Sequence, residues 1–315
     1  MKITFGWGQK AKKREKGMRS RTHLMYIIMC AATVLLCSGY AMAGTWTNID
    51  KPGAAATYPF DISGNTVTGC YFDSSWKCHG FLYNGSTWTT IDKPGAINTN
   101  VFGIDGGNIV GFYDDSSGIS HGFLYNVSGW TTLDMPGAAK TNIYDIDGDN
   151  IIGCYWDASG NRHSFLYDGG TWTILNMPGT TDIIAIGTDS GNIVGWYGNS
   201  SFAHGFLYDG GTWTTLDMPK AQSTESIGID GENIVGYYRD AQWINHGFLH
   251  NGSGWTTLDM PGARGTEPQG IDGSNIVGSY FTANSSYGHG FIYAIPEPAT
   301  LLFFGLGAAM AARRL

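Results

Sequence analysis

The part of this chain that is expected to fold contains few basic residues. Residues 44–295 hold eight Lys and Arg against 24 Asp and Glu, so their net charge is 8 − 24 = −16, twice the −8 of the whole chain. A body of that charge repels phosphate backbones and anionic membrane surfaces. Nucleic acid is therefore not an expected partner, and we expect a soluble body that is a monomer.

The same residues also lack any sign of helix. No stretch of the body shows the 3.6-residue apolar period of an amphipathic helix. Instead, short runs of β-branched and aromatic residues are divided by Gly, Asn and Asp, a pattern typical of β-hairpins. The composition therefore favours an all-β fold.

One sequence motif is repeated six times through the body, with a Trp in one strand and a His at the start of another. The landmarks are spaced 41 to 43 residues apart: Trp46, Trp88, Trp130, Trp172, Trp213 and Trp255, and His79, His121, His163, His204, His246 and His289. Within one unit, residues 100–138, the segments VFGI, NIVGFY, HGFLY and WTTLD are divided by turn signals. Four strands per ~42-residue repeat predict the blade of a β-propeller.

The two ends of the body predict how the blades close. The body begins with a lone fourth strand, residues 46–50, and stops after a third strand, His289–Tyr293. If these two strands pair, six complete blades close into a ring with no orphan edge. We therefore predict a six-bladed β-propeller over residues 44–295. The alternative, an open solenoid, needs polar caps that the sequence does not show.

Residues 1–43 have the order of a secretory signal peptide. A basic stretch from Lys10 to Arg21 precedes an apolar run at about residues 24–36, and Ala41-Met42-Ala43 forms a small-x-small cleavage site. The sequence therefore predicts export with the help of signal peptidase. A retained membrane anchor is the alternative, although the apolar run is short for a span. Translation could begin at Met1 or at Met18.

The C-terminal residues 296–315 carry three ordered features: Pro296-Glu297-Pro298, an apolar segment at about 299–312, and Arg313-Arg314. This tail resembles the PEP-CTERM sorting signal. The resemblance implies a Gram-negative bacterium, an exosortase as processing partner, and delivery to the cell surface or the exopolysaccharide matrix. We expect the apolar segment to span the inner membrane transiently, with the two arginines on its cytoplasmic side.

The histidine-led strand reads HGFLY at residues 79, 121 and 204, HSFLY at 163, HGFLH at 246 and HGFIY at 289. The segment before it reads Gly-Ile-x-x-x-Asn-Ile-Val-Gly. These repeats resemble the extracellular HAF repeats, with Gly in place of the usual Ala. The resemblance implies an extracellular β-repeat protein and brings no catalytic residues with it.

The repeated polar residues are expected to support the scaffold. Radial symmetry holds the six histidines too far apart for any two to share a zinc ion. We expect each to bond a threonine of the neighbouring strand: Thr89, Thr131, Thr173, Thr214 or Thr256. The recurrent Asp105, Asp147, Asp230 and Asp272 are interpreted as turn formers that tolerate positive φ. Asp145, Asp147 and Asp149 alternate as calcium ligands do, and calcium is the one cofactor candidate.

Three cysteines remain once the leader, with Cys30 and Cys37, is removed. Cys70 lies in the second strand of the first blade and Cys78 opens the third, so they could face each other across a hairpin in an oxidising compartment. The strand register decides whether this disulfide forms. Cys154 has no candidate partner and is expected to be a small buried residue.

A binding site is expected where the six copies differ. The variable loops of one face of the disc carry Trp76 and Trp243. The positions after a recurrent threonine, at the channel mouth, read Tyr58, Asn100, Asn142, Asp182, Glu225 and Glu267. Aromatics beside amides and carboxylates suit sugars, because rings stack on them and polar groups bond their hydroxyls. The alternative is ordinary solvated loop surface.

The sequence therefore favours a non-catalytic protein that binds or scaffolds extracellular polysaccharide or a surface protein. Asp182, Glu225 and Glu267 come from adjacent blades, and paired carboxylates are the machinery of glycosidases. A carbohydrate-active hydrolase or lyase therefore stays open as the alternative. Purely structural packing in the envelope is a third hypothesis.

Overall fold

A computed structural model describes residues 44–180, 182–199 and 202–296. Residues Gly44–Ile295 form one compact unit. The expected signal peptide, and the sorting tail from Glu297 onward with Arg313 and Arg314, lie outside the described residues. So does the membrane span expected at 299–312. Among the residues described, no helix is long and apolar enough to cross a membrane.

The described residues form six antiparallel four-stranded sheets, here called blades 1 to 6. Blade 1 consists of β2 (Ala56–Ser63), β3 (Thr66–Phe72), β4 (Cys78–Tyr83) and β5 (Trp88–Ile91). Blade 2 consists of β6 (Asn98–Asp105), β7 (Asn108–Asp114), β8 (Ser120–Asn126) and β9 (Gly129–Thr132). Blade 3 consists of β10 (Lys140–Asp147), β11 (Asn150–Trp156), β12 (Arg162–Asp168) and β13 (Trp172–Leu175).

The second half of the ring repeats this order. Blade 4 consists of β14 (Ile183–Asp189), β15 (Asn192–Asn199), β16 (Phe202–Tyr208) and β17 (Trp213–Leu216). Blade 5 consists of β18 (Ser223–Asp230), β19 (Asn233–Arg239), β20 (Asn245–His250) and β21 (Trp255–Leu258). Blade 6 consists of β22 (Gly265–Asp272), β23 (Asn275–Thr282), β24 (Ser285–Ala294) and the N-terminal β1 (Thr45–Asn48).

Strand β1 closes the ring, as the sequence predicts. It pairs antiparallel with β24, with Thr45 opposite Ala294 and Asn48 opposite Phe291. Beyond the strand, the Ile49 amide donates to the Gly290 carbonyl at 2.9 Å. The six-bladed propeller predicted from the repeat is therefore confirmed, including its closure by the N-terminal strand.

The His-Gly-Phe motif forms the core of each blade. Its six phenylalanines, Phe81, Phe123, Phe165, Phe206, Phe248 and Phe291, are all fully buried. Each packs against the ring of its blade's landmark tryptophan, with centroids 4.8–5.1 Å apart. The glycine before the phenylalanine has no room for a side chain, because a Cβ on Gly80 would run into the Ile91 carbonyl and Val101 of the next blade. This crowding explains why Gly stands at that position.

A bulge in every innermost strand lines the central channel. The register shifts by one residue at the same place in β2, β6, β10, β14, β18 and β22. The residues at the bulge that line the channel are Phe60, Phe102, Tyr144, Ile186, Ile227 and Gln269. Because bulges re-aim side chains, the channel is filled with apolar and aromatic groups without a change of fold.

A circle of hydrogen bonds joins the turns that end the innermost strands. In each turn a side chain accepts the backbone N–H of the equivalent turn in the next blade. The pairs are Asp105 and Gly148, Asp147 and Ser190, Asp189 and Gly231, Asp230 and Gly273, and Asp272 and Gly64, at 2.5–2.9 Å, and Ser63 and Gly106 at 3.4 Å. The aspartates, interpreted from the sequence as turn formers that tolerate positive φ, directly precede these turns and do not themselves have positive φ. Positive φ falls on the residue after each, 50–59° in all six turns, and the carboxylates are free to bond the next blade.

We expect Asp272→Ala to weaken ring closure. Asp272 accepts from Gly64 across the junction between the last blade and the first. A hydrogen bond to a charged group contributes about 1.5–3 kcal/mol, so the free energy of unfolding should fall by about that amount in chemical denaturation. Ser63→Ala is the matched control, because its bond is long and neutral and should contribute only a few tenths of a kcal/mol, about the noise of such measurements. Equal effects of both variants would contradict this role.

Candidate functional site

The two faces of the propeller differ in what they carry. The upper face holds the loops between the second and third strands of each blade and the links between blades. The lower face holds the tight turns, with the hydrogen-bonded circle. The residues that vary between blades are concentrated on the upper face, so a binding site is sought there first.

The six histidines are held by aspartates, and the prediction of threonine partners is wrong. The ring Nδ1 lies 2.7–2.8 Å from an aspartate after the fourth strand in five blades: Asp92, Asp134, Asp217, Asp259 and Asp50. The Nε2 lies 3.2–3.6 Å from an aspartate of the upper loop in four blades: Asp73, Asp115, Asp157 and Asp240. A tyrosine of the neighbouring strand stacks on every histidine, with centroids 5.0–5.3 Å apart. The histidines therefore connect strands and loops within each blade.

These contacts shift the pKa values of both partners. The bond to Asp134 raises the pKa of His121 above its usual value. Burial opposes the charge of His246, but its bonds to Asp259 and Asp240 outweigh burial and raise its pKa. On the loop side, the backbone N–H of Asn161 and the bond to His163 lower the pKa of Asp157 to about 2.

Four exposed aromatic side chains form an arc on consecutive blades of the upper face. They lie where the second strand connects to the third in blades 4, 5, 6 and 1, with Phe202 as the first residue of β16 and Tyr287 near the start of β24. Their exposed fractions are Phe202 57%, Trp243 49%, Tyr287 46% and Trp76 48%. The ring centroids of Phe202 and Trp243 are 6.2 Å apart, and those of Tyr287 and Trp76 are 4.6 Å apart. This set is called the aromatic arc below. Trp76 and Trp243 were expected at such a site from the sequence, but Phe202 and Tyr287 were not.

Two members of the aromatic arc hold an unfavourable backbone conformation. Trp76 and Trp243 both have φ of 62°, where the matching loop residues of blades 2 and 3 are Gly118 and Gly160. A bulky residue in the left-handed region costs about 1–3 kcal/mol. The two tryptophans therefore stand where glycine would be more stable, which is a feature of functional positions.

The channel mouth of the upper face brings together two of the three acids that were expected there. Glu225 and Glu267 occupy equivalent positions of β18 and β22, opposite Tyr237 and Ser279. Asp182 does not join them, because Ile184 takes that position of β14, opposite Trp196. Asp182 lies two residues earlier and binds Arg162, with Nη2 2.6 Å from Oδ1. The expectation of three carboxylates at the mouth is therefore wrong for Asp182, because blade 4 has Ile183 where the other blades have threonine.

Glu225 and Glu267 belong to one buried polar network. The Tyr237 hydroxyl donates to Glu225 Oε2 at 2.5 Å, and Arg239 Nη2 lies 3.7 Å from Oε1. The Asn245 amide donates to Glu267 Oε1 at 2.5 Å and accepts from Arg239 Nε at 3.0 Å. Burial raises the pKa of both carboxyls, and repulsion by Glu225 adds to the shift at Glu267. Two acids thus share one arginine.

The remaining channel-mouth residues tie neighbouring blades together. The Tyr58 hydroxyl accepts the Gly288 N–H at 3.1 Å, and its ring meets Phe72 edge-on. Asn100 accepts from the Cys78 thiol at 3.1 Å. Asn142 lies in blade 3, where its Oδ1 has no hydrogen-bond partner among the described residues.

The cysteines are buried and free in the structure. The register places Cys70 opposite Gly80 and Cys78 opposite Phe72, so the two thiols lie diagonally rather than face to face. The Cys70–Cys78 disulfide that the sequence left open is not formed here. Cys154 lies 3.2 Å from the Tyr144 hydroxyl, and burial raises the pKa of its thiol to about 11.

The aspartates considered for calcium are engaged with backbone amides. Asp145 accepts from Thr188 and Ile146, each at 2.8 Å, and Asp147 accepts from Ser190. Within the described ranges, no group of three or more His, Cys, Asp or Glu side chains is placed to hold a metal ion. Asp145 and its counterpart Asp61 are buried beside the channel; burial raises the pKa of Asp61 to about 7 and that of Asp145 well above its usual value.

Comparison with known proteins supports two features of the chain. Residues 294–314 match the family model of the PEP-CTERM protein-sorting motif. The chain therefore carries a signal for export and membrane-anchored sorting at the cell surface of Gram-negative bacteria, with recognition by an exosortase. No curated protein sequence matches the chain.

Solved structures similar to this one are β-propellers. The SapL1 lectin, in complex with alpha methyl fucoside, is 16% identical with a TM-score of 0.51, over 78% of this chain and 99% of that one. TolB from Acinetobacter baumannii is 12% identical with a TM-score of 0.51, over 74% of this chain and 65% of that one. At such identities the likeness shows the fold alone. The protein is therefore a surface-sorted β-propeller.

We expect the protein to be most stable at mildly acidic pH. The folded state raises the pKa values of Asp61, Asp145, Glu225, Glu267, His121 and His246. Groups whose pKa is raised on folding contribute stability that is lost as the pH rises through their pKa in the folded state. The loop aspartates, whose pKa is lowered on folding, contribute stability that is lost in acid. The free energy of unfolding, measured in denaturant, should therefore fall between about pH 5.5 and about pH 8. The double variant Asp61→Asn, Asp145→Asn should flatten this fall; a rise toward pH 8 would contradict the assignment.

Proposed function

We propose that this protein is an exported, surface-sorted, non-catalytic β-propeller that binds extracellular polysaccharide through the aromatic arc. The observation that carries the proposal is the exposure of four aromatic rings on consecutive blades, two of them in a conformation suited to glycine. Aromatic rings stack on the apolar faces of sugars, and a row of them matches a chain of sugar units. The proposal places the protein in the exopolysaccharide matrix or at the cell surface.

The charge of the protein supports a polymer that is not strongly anionic. The body carries −16, and the carboxylates of Glu225 and Glu267 lie at the channel mouth of blades 5 and 6, whose loops carry two of the arc's four rings. Long-range repulsion would oppose a dense polyanion. The proposal includes the resemblance of the repeats to extracellular HAF repeats, which fits an exported protein. It also includes a signal peptide at residues 1–43 that signal peptidase removes.

We expect Trp76→Gly and Trp243→Gly to weaken polysaccharide binding without destabilising the fold. Truncating an aromatic anchor commonly costs 2 kcal/mol or more, so each variant should bind at least about tenfold more weakly in affinity electrophoresis against a panel of neutral polysaccharides. Glycine suits the φ of 62° at both positions, so the free energy of unfolding should not fall by the usual amount for a lost tryptophan.

The matched control is Ile119→Ala, an exposed apolar residue in the same loop of blade 2, outside the aromatic arc. Its binding should be unchanged. Equal binding by the wild type and both tryptophan variants, or an equal loss in the control, would contradict the role of the arc.

A carbohydrate-active hydrolase or lyase is the second candidate, and one observation favours it. Glu225 and Glu267 are neighbouring buried carboxyls whose pKa values are both raised, with Glu267 raised partly by Glu225. A carboxyl whose pKa is raised by burial is what a general acid needs. Asp182 has no part in this pair.

If the protein cleaves a glycan, Glu267→Gln should abolish the release of reducing ends or unsaturated products, because an amide cannot exchange the proton. Glu232→Gln is the control: Glu232 is an exposed carboxylate in the lower turn of blade 5 and should leave turnover unchanged. Binding without turnover by the wild type would leave the non-catalytic proposal standing, and turnover that Glu267→Gln abolishes would replace it.

A further inference from the structure

A separate cavity opens on the upper face between blades 3 and 4. Its volume is about 390 Å³, and it is lined by Trp156, Asn161, Arg162, His163 and Asp182. None of these residues belongs to the aromatic arc or to the network around Glu225 and Glu267. The cavity is therefore a separate candidate site.

An arginine and an aspartate form the polar centre of this cavity. Arg162 Nη2 lies 2.6 Å from Asp182 Oδ1, and the guanidinium carbon lies 5.8 Å from the centre of the Trp196 ring. A guanidinium has five N–H donors, and this contact uses one of them. The Asp182 side chain is half exposed. A donor and an acceptor are thus held side by side at the edge of the cavity.

The histidine of this cavity differs from its five counterparts. In every other blade Nδ1 contacts an aspartate after the fourth strand, but blade 3 has Asn176 there. His163 contacts Asp157 through Nε2, and among the described residues its Nδ1 has no hydrogen-bond partner. Asn161 bonds the same Asp157 through its amide nitrogen. His163 Nδ1 and the Asn161 side-chain oxygen Oδ1 therefore remain for a ligand.

The sequence of blade 3 departs from the repeat around this cavity. Arg162 stands where the other blades have Cys78, Ser120, Ala203, Asn245 and Gly288. Ser164 replaces the motif glycine, and its hydroxyl donates to the Ile183 carbonyl at 2.9 Å and accepts the Ala185 N–H at 3.1 Å. These bonds tie the cavity's two blades together where blade 4 lacks the usual threonine. The irregular positions therefore lie together around one cavity.

We propose that this cavity binds a single unit of a neutral sugar through two adjacent hydroxyl groups. Arg162 donates to one hydroxyl and Asp182 accepts from the other, which is the pairing that a vicinal diol satisfies. His163 and Asn161 provide further polar contacts, and Trp156 forms an apolar wall. A uronate would have to compete with Asp182 for Arg162 inside a body of charge −16, so the site favours uncharged sugars. This inference rests on the proposed glycan-binding function and adds a second, distinct site to it.

The test uses the full-length chain and four methyl glycosides as probes: methyl β-galactoside, methyl β-glucoside, methyl α-mannoside and methyl β-glucuronide. Saturation-transfer NMR and isothermal titration should show saturable binding of at least one neutral glycoside and weaker binding of the glucuronide. Arg162→Met and Asp182→Asn should each weaken that binding about tenfold or more, the cost of losing a hydrogen bond to a charged group. Glu232→Gln, on the opposite face, should leave it unchanged.

Several outcomes would overturn the inference: no binding of any neutral glycoside, tighter binding of the glucuronide, or unchanged binding in both cavity variants. Asp182→Asn keeps the size of the side chain, so it provides the answer if Arg162→Met fails to fold. Trp76→Gly should keep full glycoside binding while it loses polysaccharide. Loss of polysaccharide binding alone would therefore report on the aromatic arc, and loss of glycoside binding alone would report on this cavity.

Discussion

The whole structure depends on the packing of one blade against the next. A propeller has no single core: its apolar clusters each combine residues of two neighbouring blades, as when Val110 of blade 2 packs with Ile143 and Phe165 of blade 3. The last interface is made in the same way, with Val277 of blade 6 against Val67 and Phe81 of blade 1, and with Ile49 from the N-terminal segment. Because a ring is only as stable as its weakest junction, the pairing of β1 with β24 and the bond from Gly64 to Asp272 hold the other five interfaces in place.

Because the blades repeat, an individual position can hold a residue that is less stable there than the one its counterparts hold. The strands on both sides of each loop fix its path, so a tryptophan with positive φ costs about 1–3 kcal/mol without changing the fold. In blades 2 and 3 the same loop position keeps the unstrained glycine, Gly118 and Gly160. At this loop position a bulky residue with positive φ occurs in blades 1 and 5, which carry exposed rings, and the scaffold supplies the stability that those rings require.

The sequence was sufficient to predict the architecture, because a repeat of about 42 residues with Gly-rich turns has few β solutions. It was less informative about side-chain partners. Threonine was a reasonable partner for each histidine by proximity along the strand, but the aspartate after the fourth strand ends opposite the imidazole, as Asp134 does opposite His121. The expectation that Asp182 lies at the channel mouth was wrong for a local reason. Aligning blade 4 with the other blades on threonine is misleading, because Ile183 occupies the threonine position. Asp182 therefore lies outside the mouth. Phe202 and Tyr287 were not predicted as site residues, because the spacing between consecutive histidines changes to 41 and 43 residues around them.

The two ends of the propeller lie on the face opposite the aromatic arc. Strand β24 runs toward the lower face and β1 starts there, so Thr45 and Ala294 are paired neighbours. The described chain therefore enters and leaves the propeller beside the tight turns, where the acidic residues Asp105, Asp147, Asp189, Asp230 and Asp272 are engaged with backbone amides. The sorting motif begins at residue 294, directly at that exit. The loops that differ between blades lie on the opposite face.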